Sequence, residues 1–420
     1  MYHSSIITDE SQSTLLPAVL IGGPPHSGKT VFSQLLKKSL RQIWPDLPFY
    51  LLRANPDGEG DWFNEIDPTV AQTLRQKKEF TPQFASALHQ AILHRQVPLL
   101  VDVGGKISAE QRQIASACTH AILVSSTEEG LEMWRRFAQE MGLTVLAELH
   151  SVLDGEESLE TQNPPLRGTL CCLHRHRREV TPAVMHVAHH VANIFIEAFR
   201  TVLRIDKDDR SRLSEDVPSL IRRFISFQKE RSPIERVVDV EAYKYWEPHM
   251  LLPFLRTIPS GEPLAIYGIA PNWVYGALAA WSDPAPIVQF DAVLGWISPP
   301  SFELRPAPHP LLKVSVLPVE EYGTYLRVDF APPYVPLSAV DGGTIPPVEG
   351  DFVVLDGKLS MWMWTALVRA YRHLQQIYVY QPQLIQGAHK AQRKAVLVHH
   401  REDIERLGHV RTFNLPLDPE

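Results

Sequence analysis

From Leu16 to about Arg200, short apolar runs alternate with stretches whose apolar residues recur every three or four positions. Pro17–Ile21 is the first run, and Val31, Phe32, Leu35, Leu36, Leu40 and Ile43 follow at helical spacing, which predicts a strand and then a helix. The series continues as strand Phe49–Leu52, helix Thr81–Arg95, strand Pro98–Val103, helix Ala109–Ala117, strand Ala121–Val124, helix Glu128–Met141 and strand Thr144–Ala147. Such alternation predicts an α/β domain, a parallel sheet with helices on both faces. An acidic loop over residues 151–166, a strand Thr169–Leu173 and a closing helix Ala183–Phe199 complete a first domain spanning residues 1–203.

Residues 204–236 are dense in both charge signs and carry one apolar stripe, Val217, Leu220, Ile221, Phe224 and Ile225, which predicts a linker with a short amphipathic helix. Beyond it one order of elements occurs twice. Strand Leu264–Tyr267, helix Pro271–Trp281 and strands Ile287–Phe290 and Leu294–Ile297 are matched by Phe352–Leu355, Met361–His373, Ile377–Tyr380 and Ala395–Val398. A tandem duplication is expected, with a reduced first copy in residues 237–305 and a second in 306–420. The second adds a hairpin, Leu312–Leu317 with Thr324–Phe330, turning around Glu321. Proline use agrees with this division: 13 of the 35 prolines fall in residues 1–231 and 22 in the shorter remainder.

The formal charge of −7, from 41 Lys+Arg against 48 Asp+Glu, speaks against coating a long nucleic acid, so any polyanion site must be local. Three cysteines, Cys118, Cys171 and Cys172, make neither a disulfide framework nor a spaced metal set. The polar N-terminus and the lack of a long apolar run predict a cytoplasmic protein that does not span membranes.

The chemistry is concentrated in Gly23-Pro24-Pro25-His26-Ser27-Gly28-Lys29-Thr30, a GxxxxGKT motif between a predicted strand and a predicted helix. Its backbone N–H groups suit phosphate, Lys29 the terminal phosphates and Thr30 a Mg²⁺ ion, so ATP is the expected cofactor. Asp102, closing the strand Pro98–Val103, is the expected metal partner, although a turn-capping role also fits. Asp57, Glu59 and Asp61 lie on a loop after the second strand, where an acidic group can orient or deprotonate an acceptor hydroxyl; Asp-Gly and Glu-Gly equally make a plain turn. Arg175, Arg177 and Arg178 form a basic cluster that suits a phosphate lid, a charge-stabilising arginine or a solvated face. The adjacent pairs His189-His190 and His399-His400 should point to opposite sides of their elements, which argues against a shared metal. The tryptophans of the second half read as core anchors.

Residues 311–401, with the hairpin Leu312–Phe330, Asp356-Gly357, Met361-Trp362 through Tyr371-Arg372-His373, the strand Ile377–Tyr380 and Ala395–Val398, resemble the type III CRISPR-associated ring nucleases that bind and linearise cyclic tetra-adenylate. Residues 264–300 look like a reduced second copy, and the N-terminal half looks like the P-loop domain found fused to that family. The resemblance implies a helix histidine near Arg372 or His373, a strand aspartate where Gln381 stands, and a further histidine near His400 or Arg401; the first copy keeps Asp291 but has Asp283 at the helix position. Mn²⁺-dependent cleavage is weakened by Gln381, which cannot take a negative charge. The expectation is an ATP-dependent enzyme that binds cyclic oligoadenylate through Arg369, Arg372, His373, Lys390 and Arg393 and inactivates it, by phosphorylating a ribose hydroxyl with Lys29, Asp57 or Glu59, Asp102 and Arg177. Ring cleavage by Asp291, His373 and His400 with ATP as regulator, and a ligand-gated ATPase sensor, are the alternatives; a homo-oligomer is also expected.

Overall fold

The computed structural model of the chain describes residues 16–54, 81–174, 179–205, 216–242, 245–320, 322–331, 335–381 and 392–414. In the first part β1 (Ala18–Gly22), α1 (Lys29–Ile43), β2 (Tyr50–Ala54), α2 (Pro82–Leu93), β3 (Leu99–Val103), α3 (Ala109–Ala115), β4 (His120–Ser125), α4 (Glu128–Glu140), β5 (Thr144–Val152), β6 (Ser158–Leu159), β7 (Leu166–Cys171) and α5 (Pro182–Val202) follow one another. They build a seven-stranded sheet in the order β2-β3-β1-β4-β5-β7-β6, parallel except for the edge pair β6–β7.

Successive strand residues face opposite sides, so β1 splits its side chains between two cores. Val19 and Ile21 join α1 and α5, whereas Ala18 and Leu20 join α2, α3 and α4. Helices therefore cover both faces, as the alternation predicted. The stretch expected as an acidic loop is shorter, because β5 runs on to Val152 and β6 pairs back onto β7. Within the charged stretch, α6 (Val217–Glu230) buries Leu220, Ile221 and Phe224 in the core that holds α1 and α5. Phe224 stacks on Phe199 with centroids 4.1 Å apart, so this helix is part of the first body rather than a spacer.

The second part contains β8 (Val237–Asp239), α7 (Leu251–Leu255), β9 (Leu264–Tyr267), α8 (Asn272–Ser282), β10 (Ile287–Asp291) and β11 (Gly295–Ile297), with the sheet order β11-β10-β9-β8. β12 (Phe302–Leu304) pairs with β15 (Gly343–Ile345). β13 (Leu312–Val319), β14 (Gly323–Phe330), β16 (Phe352–Asp356), β17 (Gln376–Tyr380), β18 (Gln392–His400) and β19 (Val410–Asn414) form a six-stranded sheet in the order β13-β14-β16-β17-β18-β19, and α9 (Met361–Ala370) connects β16 to β17. β9 pairs with β10 in parallel, Leu264 opposite Ile287, and β16 with β17 likewise, Val353 opposite Ile377. One hydrophobic core runs from Val240 to Phe413 through both sheets. α8 lies against α9 and the six-stranded sheet at Gly276, where a Cβ would stand 2.9 Å from Val368 Cγ2, so the missing side chain permits the close approach.

Candidate functional site

The loop Gly23–Gly28 leaves the C-terminal end of β1, an inner strand flanked by β3 and β4, and opens α1. Two glycines are required there. Gly23 has φ +151° and a Cβ on it would stand 1.8 Å from the Val124 carbonyl oxygen; Gly28, the N-cap of α1, has φ +80°. His26, at φ +62°, adds a third left-handed turn, so the loop folds back over its own helix N-terminus. From the neighbouring strand end, Gly105 packs on Pro25, with space for a Cβ only 2.3 Å from Pro25 N. Gly105 thus seats the loop.

Lys29 is buried, its Nζ donating to the Pro24 carbonyl oxygen at 2.5 Å and lying 3.4 Å from Ser27 Oγ. Burial pushes its ammonium down to about 8, the nearby Asp102 carboxylate opposing the shift. Parallel pairing sets Ile21 opposite Asp102, which brings the carboxylate level with the loop. Thr30 Oγ1 donates to Asp102 Oδ2 at 3.0 Å. Two hard oxygen donors this close, beside the N-terminus of α1, fit a small divalent cation such as Mg²⁺.

Arg53, which the sequence pattern did not single out, joins them: β2 sets it opposite Asp102, and its Nε lies 3.8 Å from Oδ2. The signal was its place at the end of a strand beside the Asp102 strand. Asp57, Glu59, Asp61, Arg175, Arg177 and Arg178 lie outside the described residues, as does Lys390.

A second concave region, about 670 Å³, opens between α8, α9 and the end of β18. It brings together Arg369, Arg372, His373, His399 and His400. Arg369 donates to Ser282 Oγ at 2.8 Å and to the Ala285 carbonyl at 2.5 Å; Arg372 donates to the Ala280 carbonyl at 3.1 Å and pairs with Asp283. These arginines expected to bind ligand thus also satisfy the carbonyl end of α8, where cations are favoured. Asp283, in the position of the expected histidine, is their anionic partner. His373 is exposed.

Strict strand alternation would part His399 from His400, but both border the cleft, next to a β-bulge where the β17–β18 register shifts. Burial, with Arg372 nearby, pushes His399 down to about 4, so its ring is neutral near pH 7. His400 Nδ1 accepts from the backbone N–H of Asp403 at 3.0 Å and of Glu402 at 3.3 Å, and Arg406 Nη1 lies 3.4 Å from its Nε2.

Asp291 and Arg393 are not among the residues bordering this cleft. Half-buried Asp291 Oδ1 accepts from the N–H groups of Val293 at 2.8 Å and Leu294 at 3.0 Å, pinning the β10–β11 turn; burial raises its carboxyl above the ordinary range despite these bonds. Arg393 and Arg327 lie 3.8 and 3.6 Å from the buried Asp356 carboxylate at the end of β16, which also accepts from the Tyr325 hydroxyl. Gln381, buried just beyond β17, donates its backbone N–H to the Lys394 carbonyl at 3.0 Å.

Among the described residues, no group of three or more His, Cys, Asp or Glu is placed to hold a metal ion, and no helix is long and apolar enough to cross a membrane. Residues 336–408 match the model of a family described as CRISPR-associated protein (Cas_csx3). The matched span runs from just before β15 to just before β19 and takes in α9 and three of the histidines described above. No curated protein matches the chain.

Proposed function

We propose that this chain is an ATP-using enzyme of CRISPR defence that binds a cyclic oligoadenylate and inactivates it by phosphorylating a ribose hydroxyl. The observation that carries the reading is the Thr30 hydroxyl held 3.0 Å from the Asp102 carboxylate, beside buried Lys29, in a chain whose C-terminal part matches a CRISPR-associated family. The loop amides would bind the phosphates, and Lys29 would leave the Pro24 carbonyl for the terminal phosphate. Thr30 and Asp102 would hold Mg²⁺, which supplies neutralisation of the charge on the phosphate oxygens. Asp57 or Glu59 would orient the acceptor hydroxyl, and Arg177 would offset charge on the transferred group.

The C-terminal modules would present the ring. The shared order strand, helix, strand and the matching parallel register of β9–β10 and β16–β17 support a duplicated unit, and two related faces suit a ring with rotational symmetry. Gln381, in the place of the carboxylate that the ring-nuclease resemblance implies, favours modification over cleavage. One observation favours the other reading, cleavage with ATP as regulator: the cleft that gathers His373, His399, His400, Arg369 and Arg372.

Mass spectrometry of cyclic tetra-adenylate incubated with the protein and Mg²⁺ or Mn²⁺, with and without ATP, separates them. The expected product is an intact ring heavier by one phosphate per transfer, dependent on ATP and absent with Lys29→Ala. A linear product formed equally without ATP would overturn phosphorylation in favour of cleavage.

A further inference from the structure

We propose that the adjacent residues Cys171 and Cys172 form a redox-sensitive dithiol that sets how the chain leaving β7 rests on the glycine-rich loop. Cys171 ends β7 and Cys172 is the first residue beyond it, and their Sγ atoms lie 2.7 Å apart. The cause is the backbone of Cys172, at φ +58° in the left-handed region that residues other than glycine avoid. It turns the second thiol back towards the first. Two backbone bonds hold the turn: Cys172 N–H donates to the Val152 carbonyl at 2.9 Å, and His174 N–H to the Cys172 carbonyl at 2.7 Å.

The next residue transmits the geometry. Leu173 bears directly on Gly28, where an added Cβ would stand 2.6 Å from Leu173 Cβ. The thiol pair is thus one residue away from the side chain that covers the N-cap of α1, the helix that begins with Lys29 and Thr30. Strained backbone of this kind clusters where a segment must hold or change position.

Hydrogen peroxide is the class of oxidant that fits. The half-exposed Cys172 thiolate attacks one peroxide oxygen, giving a sulfenic acid and, with one proton taken up, water. The Cys171 thiol then attacks that sulfur, its proton leaving with the hydroxyl as a second water, and the disulfide closes a ring through the intervening peptide. Cys118, buried and with its thiol pushed up to about 12 by that burial, is an internal control. Once closed, the ring keeps Cys172 from leaving its left-handed conformation and so keeps Leu173 on Gly28. The reduced chain can release it. A consequence for nucleotide exchange rests on the nucleotide-binding reading of the loop; the redox pair and its grip on Gly28 do not.

The test uses the full chain, reduced and then treated with one equivalent of hydrogen peroxide. Peptide mass spectrometry after iodoacetamide should show the Cys171–Cys172 peptide lighter by two hydrogens and unlabelled, with Cys118 unchanged. Amide hydrogen exchange at Leu173 and across Gly28–Thr30 should slow at least several-fold in the oxidised protein. Cys172→Ser, or Cys171→Ser if the first folds poorly, should remove both effects. Sulfinic acid at Cys172, a disulfide between two chains, or identical exchange in the two redox states would overturn the proposal. A fluorescent ATP analogue should leave the oxidised protein more slowly; if it binds neither redox state, the loop reading fails while the exchange data still decide the redox pair.

Discussion

His399 illustrates how one residue acquires a property that its type does not supply. The β-bulge brings it to the cleft between α8 and α9, with Arg369, Arg372, Arg401, His373, His400 and Asp283 around the same space. Burial and Arg372 push the ring down to about 4, well below an ordinary histidine. Between about pH 6.5 and 4 the unfolded chain therefore binds a proton that the folded chain does not, and stability falls as the pH is lowered through that window. Above pH 6.5 both states are neutral at this site, and the contribution is constant. His399→Gln, which cannot be protonated, should lose less stability than the native chain on acidification from pH 6.5 to 4, read as the shift of the urea midpoint with pH. Parallel shifts in the two proteins would refute this assignment.

At the level of elements, the two halves meet through α6. Gln228 Nε2 donates to the Gln96 carbonyl at 2.6 Å, its Oε1 accepts from the Tyr267 hydroxyl at 2.5 Å, and its backbone carbonyl accepts from Trp296 Nε1 at 2.8 Å. Gln96 N–H in turn donates to the Ala292 carbonyl at 2.8 Å, in the turn that Asp291 pins. One buried amide thus joins the strand-leading loop of β3, the connecting helix and the β9–β11 sheet. Gln228→Leu would strand the Gln96 carbonyl and the Tyr267 hydroxyl at a cost of about 1–3 kcal/mol each, whereas Gln90→Leu on the exposed side of α2 should cost little. The midpoint of denaturation should drop for the first and stay for the second; equal midpoints would show that the joint carries no stability. The pattern of the chain announced α6 through its apolar stripe, but nothing local marked Gln228, because its partners come from residues 39 and 132 positions away.

For the whole molecule, the single core from Val240 to Phe413 makes the two C-terminal sheets interdependent. Exposing even five large side chains of such a core costs about 8–15 kcal/mol, at roughly 1.5–3 kcal/mol each, comparable to the whole stability of a domain. Residues 237–305 produced alone should stay unfolded by near-ultraviolet circular dichroism while residues 237–420 fold; a cooperative transition in the short piece would refute this. The local matters were legible in the order of residues alone. Strand and helix alternation gave the parallel sheet with helices on both faces, because period-2 and period-3.6 patterns each bury one face only when the right element forms. The GxxxxGKT loop was legible for a similar reason: Gly23 and Gly28 answer to close approach and left-handed backbone within a few residues. Which distant groups meet was set by the assembled fold. It brought Arg53 to Asp102, tied Arg369 and Arg372 to the end of α8 and opened both His399 and His400 onto the cleft between α8 and α9. Strand order, helix crossing and a bulge fix those meetings, and each depends on the free energy of the assembled core rather than on any short stretch of chain.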